Sequence, residues 1–103
     1  MKVRFSAIVT AFCFAATVGN AQTPDWFEHS VKTVHRQLIQ AAATYSPGLN
    51  PRSVNCNGTV RTAPYTDWTT GFFPGSLWYG YELTGDHQLA AEAKRFTLAL
   101  DSL

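Results

Sequence analysis

The stretch Pro74–Leu83, PGSLWYGYEL, constrains the fold of this chain more than any other feature. Proline suits a first helical turn, and Gly85, just after Thr84, supplies the left-handed residue that stops a helix. Glu82 is the only charge between them, so the expected helix has no polar face. A helix that is apolar all round needs cover on every side. Ser76 and Gly80 lie four apart and leave a thin strip where another backbone could come close.

The flanking segments read differently. Over Pro24–Tyr45, apolar residues recur at Phe27, Val31, Val34, Leu38, Ala41 and Tyr45, with Glu28, Lys32, Gln37 and Gln40 on the other face. That spacing predicts an amphipathic helix. Thr23 is its expected N-cap, with Pro24 in the first turn and Asp25 and Glu28 near the positive end. After Asp86, a second capping candidate, Leu89, Ala93, Phe96, Leu100 and Leu103 recur in the same way opposite Gln88, Glu92 and Arg95. The chain reaches Leu103 with no glycine, proline or asparagine to close that helix, the pattern expected of a truncated chain. One-sided, fully apolar, one-sided is the order a two-layered helical barrel produces. A three-helix bundle would give each helix a polar stripe, and three helices cannot enclose the middle one.

Between the first two helices runs a long connection, Ser46 to about Phe73. Its Asn57-Gly58 pair is a turn signal, and Val54 with Thr59 and Val60 can flank a short hairpin. Asn57-Gly58-Thr59 also fits a glycosylation sequon, for which the turn is the plainer explanation. A connection this long is more often functional than idle.

The first 21 residues read as a signal peptide. Lys2 and Arg4 precede an apolar run from Phe5 to Val18, and small residues at Gly19 and Ala21 place cleavage before Gln22. The run is shorter than the roughly 20 residues a membrane span needs. The expected destination is periplasmic or extracellular, with no membrane attachment after cleavage. Cys13 leaves with the signal, and Cys56 then has no intrachain partner. A small exported domain usually relies on disulfides or a metal, so residues 22–103 are expected to be either marginal by themselves or part of something larger. The net charge of +1 gives no footprint for nucleic acid.

Candidate chemical groups are sparse. His29 and His35 are six apart, about 240° around a helix, so with His87 they make no metal-ligand spacing. Cys56 has no base nearby in sequence. No phosphate loop or nucleophile elbow is present, and no acid/base pair can be named from the few carboxylates. Seven aromatic residues fall between Tyr65 and Tyr81. Trp78, Tyr79 and Tyr81 are most simply core. Trp68 precedes the helix on a loop, where ligand contacts on a rigid scaffold concentrate. Its ring could be core, or a flat platform for the apolar face of a sugar.

DWTTGFFPGSLWYGYELTGD, Asp67–Asp86, closely resembles a motif near the start of the unsaturated glucuronyl hydrolases, glycoside hydrolase family 88. There an Asp-Trp-Thr-x-Gly-Phe segment precedes a helix reading Gly-x-Leu-Trp, followed by Tyr-Glu-x-Thr-Gly-Asp. The resemblance implies an all-α fold, the N-terminal part of an (α/α)6 barrel with three of its helices in residues 22–103. It implies removal of a 4,5-unsaturated uronic acid from oligosaccharides made by polysaccharide lyases, with neither metal nor organic cofactor. An aspartate protonates the vinyl ether, water adds at C5, and the hemiketal collapses. Trp68 matches the substrate-contacting tryptophan. Asp67 is expected to orient the turn through backbone hydrogen bonds. The catalytic aspartates are expected beyond Leu103, so no residue here takes a catalytic role and the chain alone is expected to be inactive. Unsaturated rhamnogalacturonyl hydrolases share the barrel. A non-catalytic carbohydrate-binding or helical interaction module is the alternative from another class.

Overall fold

The computed structural model describes residues 22–101. The proposed signal peptide, Cys13 and Leu103 therefore lie outside the described residues. The element order is α1 (Asp25–Thr44), β1 (Leu49–Val54), β2 (Val60–Pro64), α2 (Phe72–Thr84) and α3 (His87–Leu98), closed by a 3-10 turn at Ala99–Asp101. α1 and α3 lie where their apolar periodicity predicts, although α3 gives way to the 3-10 turn at Ala99 where the periodic pattern runs on, and α2 starts two residues before the expected Pro74.

Their ends follow local chemistry with one correction. Pro24, not Thr23, is the N-cap of α1, and no side chain caps it. The Pro24 carbonyl instead accepts from the Phe27 amide at 2.9 Å. Gly85 stops α2 in the left-handed region at φ 69°, as the sequence predicts, and its amide reaches the Tyr81 carbonyl. Asp86 caps α3 by accepting from the Gln88 amide at 2.9 Å.

The core is one cluster of Ala42, Phe73, Leu77, Leu89, Ala93 and Phe96, with Leu38, Ile39, Ala41, Tyr45 and Tyr81 packed around it. Phe73 meets Phe96 edge to face, with centroids 4.9 Å apart. Arg95 fastens α3 to the last turn of α1. Its Nη2 donates to the Ala42 carbonyl at 2.9 Å, one of the acceptors a helix C-terminus leaves unpaired. Glu92 holds the same guanidinium at 2.6 Å.

Only one face of α2 is covered. Phe73, Pro74, Leu77 and Gly80 are buried against α1 and α3. Phe72, Tyr79 and Leu83 are exposed on the other side. Trp78, expected in the core, is 40% exposed and donates from its indole nitrogen to the Thr97 hydroxyl. Two neighbouring helices can cover only one side of a cylinder, so within the described residues the expected enclosure is not met.

The connection between α1 and α2 is more ordered than the sequence suggests. β1 and β2 form an antiparallel hairpin longer than the predicted one, reaching back to Leu49 and Pro64. At its tip the Gly58 amide donates to the Asn55 carbonyl, and the Asn55 amide to the Thr59 carbonyl. Gly58 takes φ 82° there, so the turn needs its glycine. Asn57 Oδ1 accepts from the Thr59 amide and hydroxyl, an Asx turn. Asn50 and Ala63, paired across the ladder, are buried. A bulge between Pro51 and Ser53 leaves Arg52 without a partner in the ladder.

Candidate functional site: the Asp67-Trp68 loop

Three overlapping turns carry the chain from β2 into α2. The Asp67 amide donates to the Pro64 carbonyl, Thr70 to Asp67, and Phe72 to Thr69, at 2.9–3.1 Å. Asp67 locks the middle turn. Its Oδ1 accepts from the Thr69 amide at 2.8 Å and the Thr69 hydroxyl at 2.6 Å. Its Oδ2 meets Arg52 Nη1 at 3.3 Å. The Thr69 hydroxyl first, then the Thr69 amide, with a smaller attraction from Arg52, hold the Asp67 carboxyl below its ordinary value. An acid kept ionised this way is a poor proton donor. Asp67 is thus a turn-former, the role the sequence gives it.

With the turn fixed, Trp68 points outward. Trp68 is 81% exposed, so it is not core within the described residues. It stands edge-on to Phe72, with centroids 5.9 Å apart and planes 77° apart. Beside this pair lies a cleft of about 370 Å³ lined by Pro51, Arg52, Ser53, Arg61, Thr69 and Phe72. The hairpin thus supplies one wall and the loop the other.

Asn50 pins the two walls together. From its buried position its Nδ2 donates to the Thr70 carbonyl at 2.7 Å and the Thr70 hydroxyl at 2.8 Å. A carbonyl can only accept, so the amide nitrogen must face it. The Asn50 Oδ1 is left without a partner. Sequence reasoning missed this residue, because asparagine beside Pro51 reads as a turn and its partner is 20 residues away.

The histidines do not converge. His29 is exposed, while His35 Nε2 donates to Asp86 Oδ2 at 2.6 Å, tying α1 to the α3 cap. His87 leans on the Tyr81 ring. Among the described residues no three of His, Cys, Asp and Glu gather as a metal site, and no helix is long and apolar enough to cross a membrane. Cys56 is a free, exposed thiol at the hairpin tip.

A mostly helical chain whose middle helix is covered on one face only has the form of one segment of a larger helical barrel. Comparison with known proteins bears out the resemblance to unsaturated glucuronyl hydrolases. No protein-family model matches the chain. An unsaturated glucuronyl hydrolase of Formosa agariphila is 40% identical over 66 residues, 61% of this chain and 16% of that protein. A crystal structure of an unsaturated glucuronyl hydrolase specific for heparin is 72% identical and superposes with a TM-score of 0.74 over 76% of this chain and 21% of that one. That enzyme is an (α/α)6 barrel, so the helices described here correspond to part of such a barrel. The chain spans about a sixth of the curated relative and a fifth of the solved one.

Proposed function

We propose that the protein carrying this chain is a glycoside hydrolase that removes a 4,5-unsaturated uronic acid from the non-reducing end of lyase-generated oligosaccharides. The 72% identity to the heparin-specific enzyme supports heparin-derived oligosaccharides as the substrate class. Export with cleavage before Gln22 belongs to the same proposal, on the strength of Lys2 and Arg4, the apolar run from Phe5 to Val18 and the small residues Gly19 and Ala21. An intact Phe5–Val18 segment in the mass of the exported protein would count against it.

Beside the likeness to the heparin-specific enzyme, one observation supports the reading: Trp68, 81% exposed within the described residues, stands on a loop braced from both sides. An aromatic face is apolar, as are the C–H faces of a sugar, and a ring flattened by a 4,5 double bond lies flush against it. In the proposed reaction an acid protonates the vinyl ether, water adds at C5, and the hemiketal opens to release the remaining sugar. The Asp67 and Asp86 carboxyls are both taken up as hydrogen-bond acceptors in a turn and a helix cap, and neither is assigned as that acid. Within the described residues the contribution is to bind and orient.

The test compares Trp68→Ala with a core truncation, Leu77→Ala, in the full-length protein. Trp68→Ala is expected to lower kcat/KM for an unsaturated heparin disaccharide by roughly 10- to 200-fold, the 1–3 kcal/mol of one lost pocket contact. Leu77, fully buried, is expected to cost about 2–5 kcal/mol of stability instead. Loss of the conjugated double bond's ultraviolet absorbance follows turnover. If Trp68→Ala unfolds the protein as badly as Leu77→Ala while folded molecules keep full activity, the platform reading is wrong.

A further inference from the structure

We infer that the cleft holding Arg52 and Arg61 is an anion subsite beside Trp68, shaped for a sulfate or carboxylate substituent of an acidic oligosaccharide. The sugar rests on the function proposed above. The anion is read from the cleft itself.

Two guanidinium groups line this cleft from neighbouring strands, Arg52 from the bulge in β1 and Arg61 from β2. Arg61 faces Ser53 across the ladder, and Arg52 occupies the bulge next to Ser53. Asp67 answers Arg52 at 3.3 Å. Among the described residues Arg61 makes no ion pair, so the cleft keeps an uncompensated cation. A guanidinium is a rigid fork of donors matched to the paired oxygens of a carboxylate or sulfate. The bulge frees Arg52 from the ladder, and Asp67 then fixes where its side chain sits. Phe72 joins the two parts of the surface, because it both lines the cleft and packs edge-on against Trp68. A sugar on the Trp68 face can therefore place a charged substituent in the cleft without leaving the ring. At about 370 Å³ the space admits such a group with its water.

The experiment uses the full-length protein and saturated heparin tetrasaccharides, which lack the double bond and so are bound without turnover. One probe is N-sulfated. The second carries N-acetyl groups in place of the sulfates and keeps its carboxylates, and the third also has its carboxyls reduced. Calorimetry at low salt is expected to show Arg61→Gln weakening the sulfated probe about tenfold, the low end for a charge-assisted hydrogen bond. Arg61→Lys is expected to recover part of the loss. A loss confined to the sulfated probe identifies sulfate as the occupant. An equal loss on the first two probes, absent on the third, identifies carboxylate. Equal affinities of wild type and Arg61→Gln for all three overturn the inference. Arg61 is exposed, so the variant is expected to fold. Should circular dichroism show otherwise, wild-type binding that sodium sulfate does not compete away overturns the inference as well. Turnover of an unsaturated disaccharide is measured separately. Arg61-dependent binding without turnover sinks the proposed activity and keeps the subsite, and turnover with Arg61-independent binding does the reverse.

Discussion

Asn50→Ala is the substitution that best separates the bracing of the Trp68 loop from the packing of the helices. Asn50 is 1% exposed and donates twice to Thr70, itself only 8% exposed. Removing the amide forfeits two hydrogen bonds at about 1 kcal/mol each and strands the Thr70 carbonyl away from water. Deleting the unpartnered Asn50 Oδ1 returns part of that cost. The net is about 2–3 kcal/mol, charged to the contact between hairpin and loop. No helix loses a contact in the core cluster. Hydrogen exchange of a peptide covering residues 64–72 is the appropriate assay, because it reads local opening. Exchange there is expected to accelerate about 30- to 150-fold, at 1.4 kcal/mol per tenfold, while the α2–α3 amides change little. Asn50→Asp sharpens the test. An ionised carboxylate turns an acceptor toward the Thr70 carbonyl, whereas the protonated acid can donate to it. Compared with wild type at the same pH, its protection is therefore expected to recover as the pH is lowered. Unaltered exchange in Asn50→Ala, or an Asn50→Asp variant whose protection relative to wild type does not change with pH, refutes the pin.

A Cβ at Gly80 would lie 2.6 Å from Leu38 Cδ1 and 3.1 Å from Leu89 Cδ1. Overpacking of about 1–3 kcal/mol outweighs the roughly 1 kcal/mol that alanine gains in a helix, so Gly80→Ala is expected to lower stability to denaturant by about 1 kcal/mol. Adding Leu38→Ala should cost less than the two single changes summed, and strict additivity would contradict the clash. Asp86 has its carboxyl lowered first by the His35 hydrogen bond, then by the Gln88 amide, with weaker attraction from His35 and His87. A depressed carboxyl stabilises above its unfolded value and loses that stabilisation as pH falls through the folded one. The stability that wild type holds over Asp86→Asn should thus shrink as the pH falls below about 4. A difference that instead grows in acid would reverse the sign.

What the sequence made legible was whatever repeats along it. The steps of three and four in α1 and α3, the glycine after α2 and the aspartate before α3 are local signals, and each element appears where they place it. The hairpin was half legible. Gly58 marked its tip, but Pro51 and Arg52 in β1 argue against a strand, and the bulge that accommodates them has no signature in sequence. The pairs that position the site were not legible. Asn50 with Thr70, Arg52 with Asp67 and His35 with Asp86 are each brought together by the path of the whole connection. Burial of Trp78 and Tyr79 was overestimated for a related reason, since composition says that a face is apolar but not which residues cover it. Trp68 was singled out by its place before the helix, and its exposure follows from the Asp67 turn.

The hairpin is braced at its base and free at its tip, which makes it a lever. Asn50 and Arg52 couple the base to the loop that carries Trp68. Among the described residues the tip is held only by bonds within Asn55–Thr59. Cys56 sits on that tip, exposed and unpaired. A fluorophore or spin label attached there would ride on the free end while leaving the braced end untouched. The sequence has thereby left a chemical handle through which occupancy of the cleft can be watched from a distance.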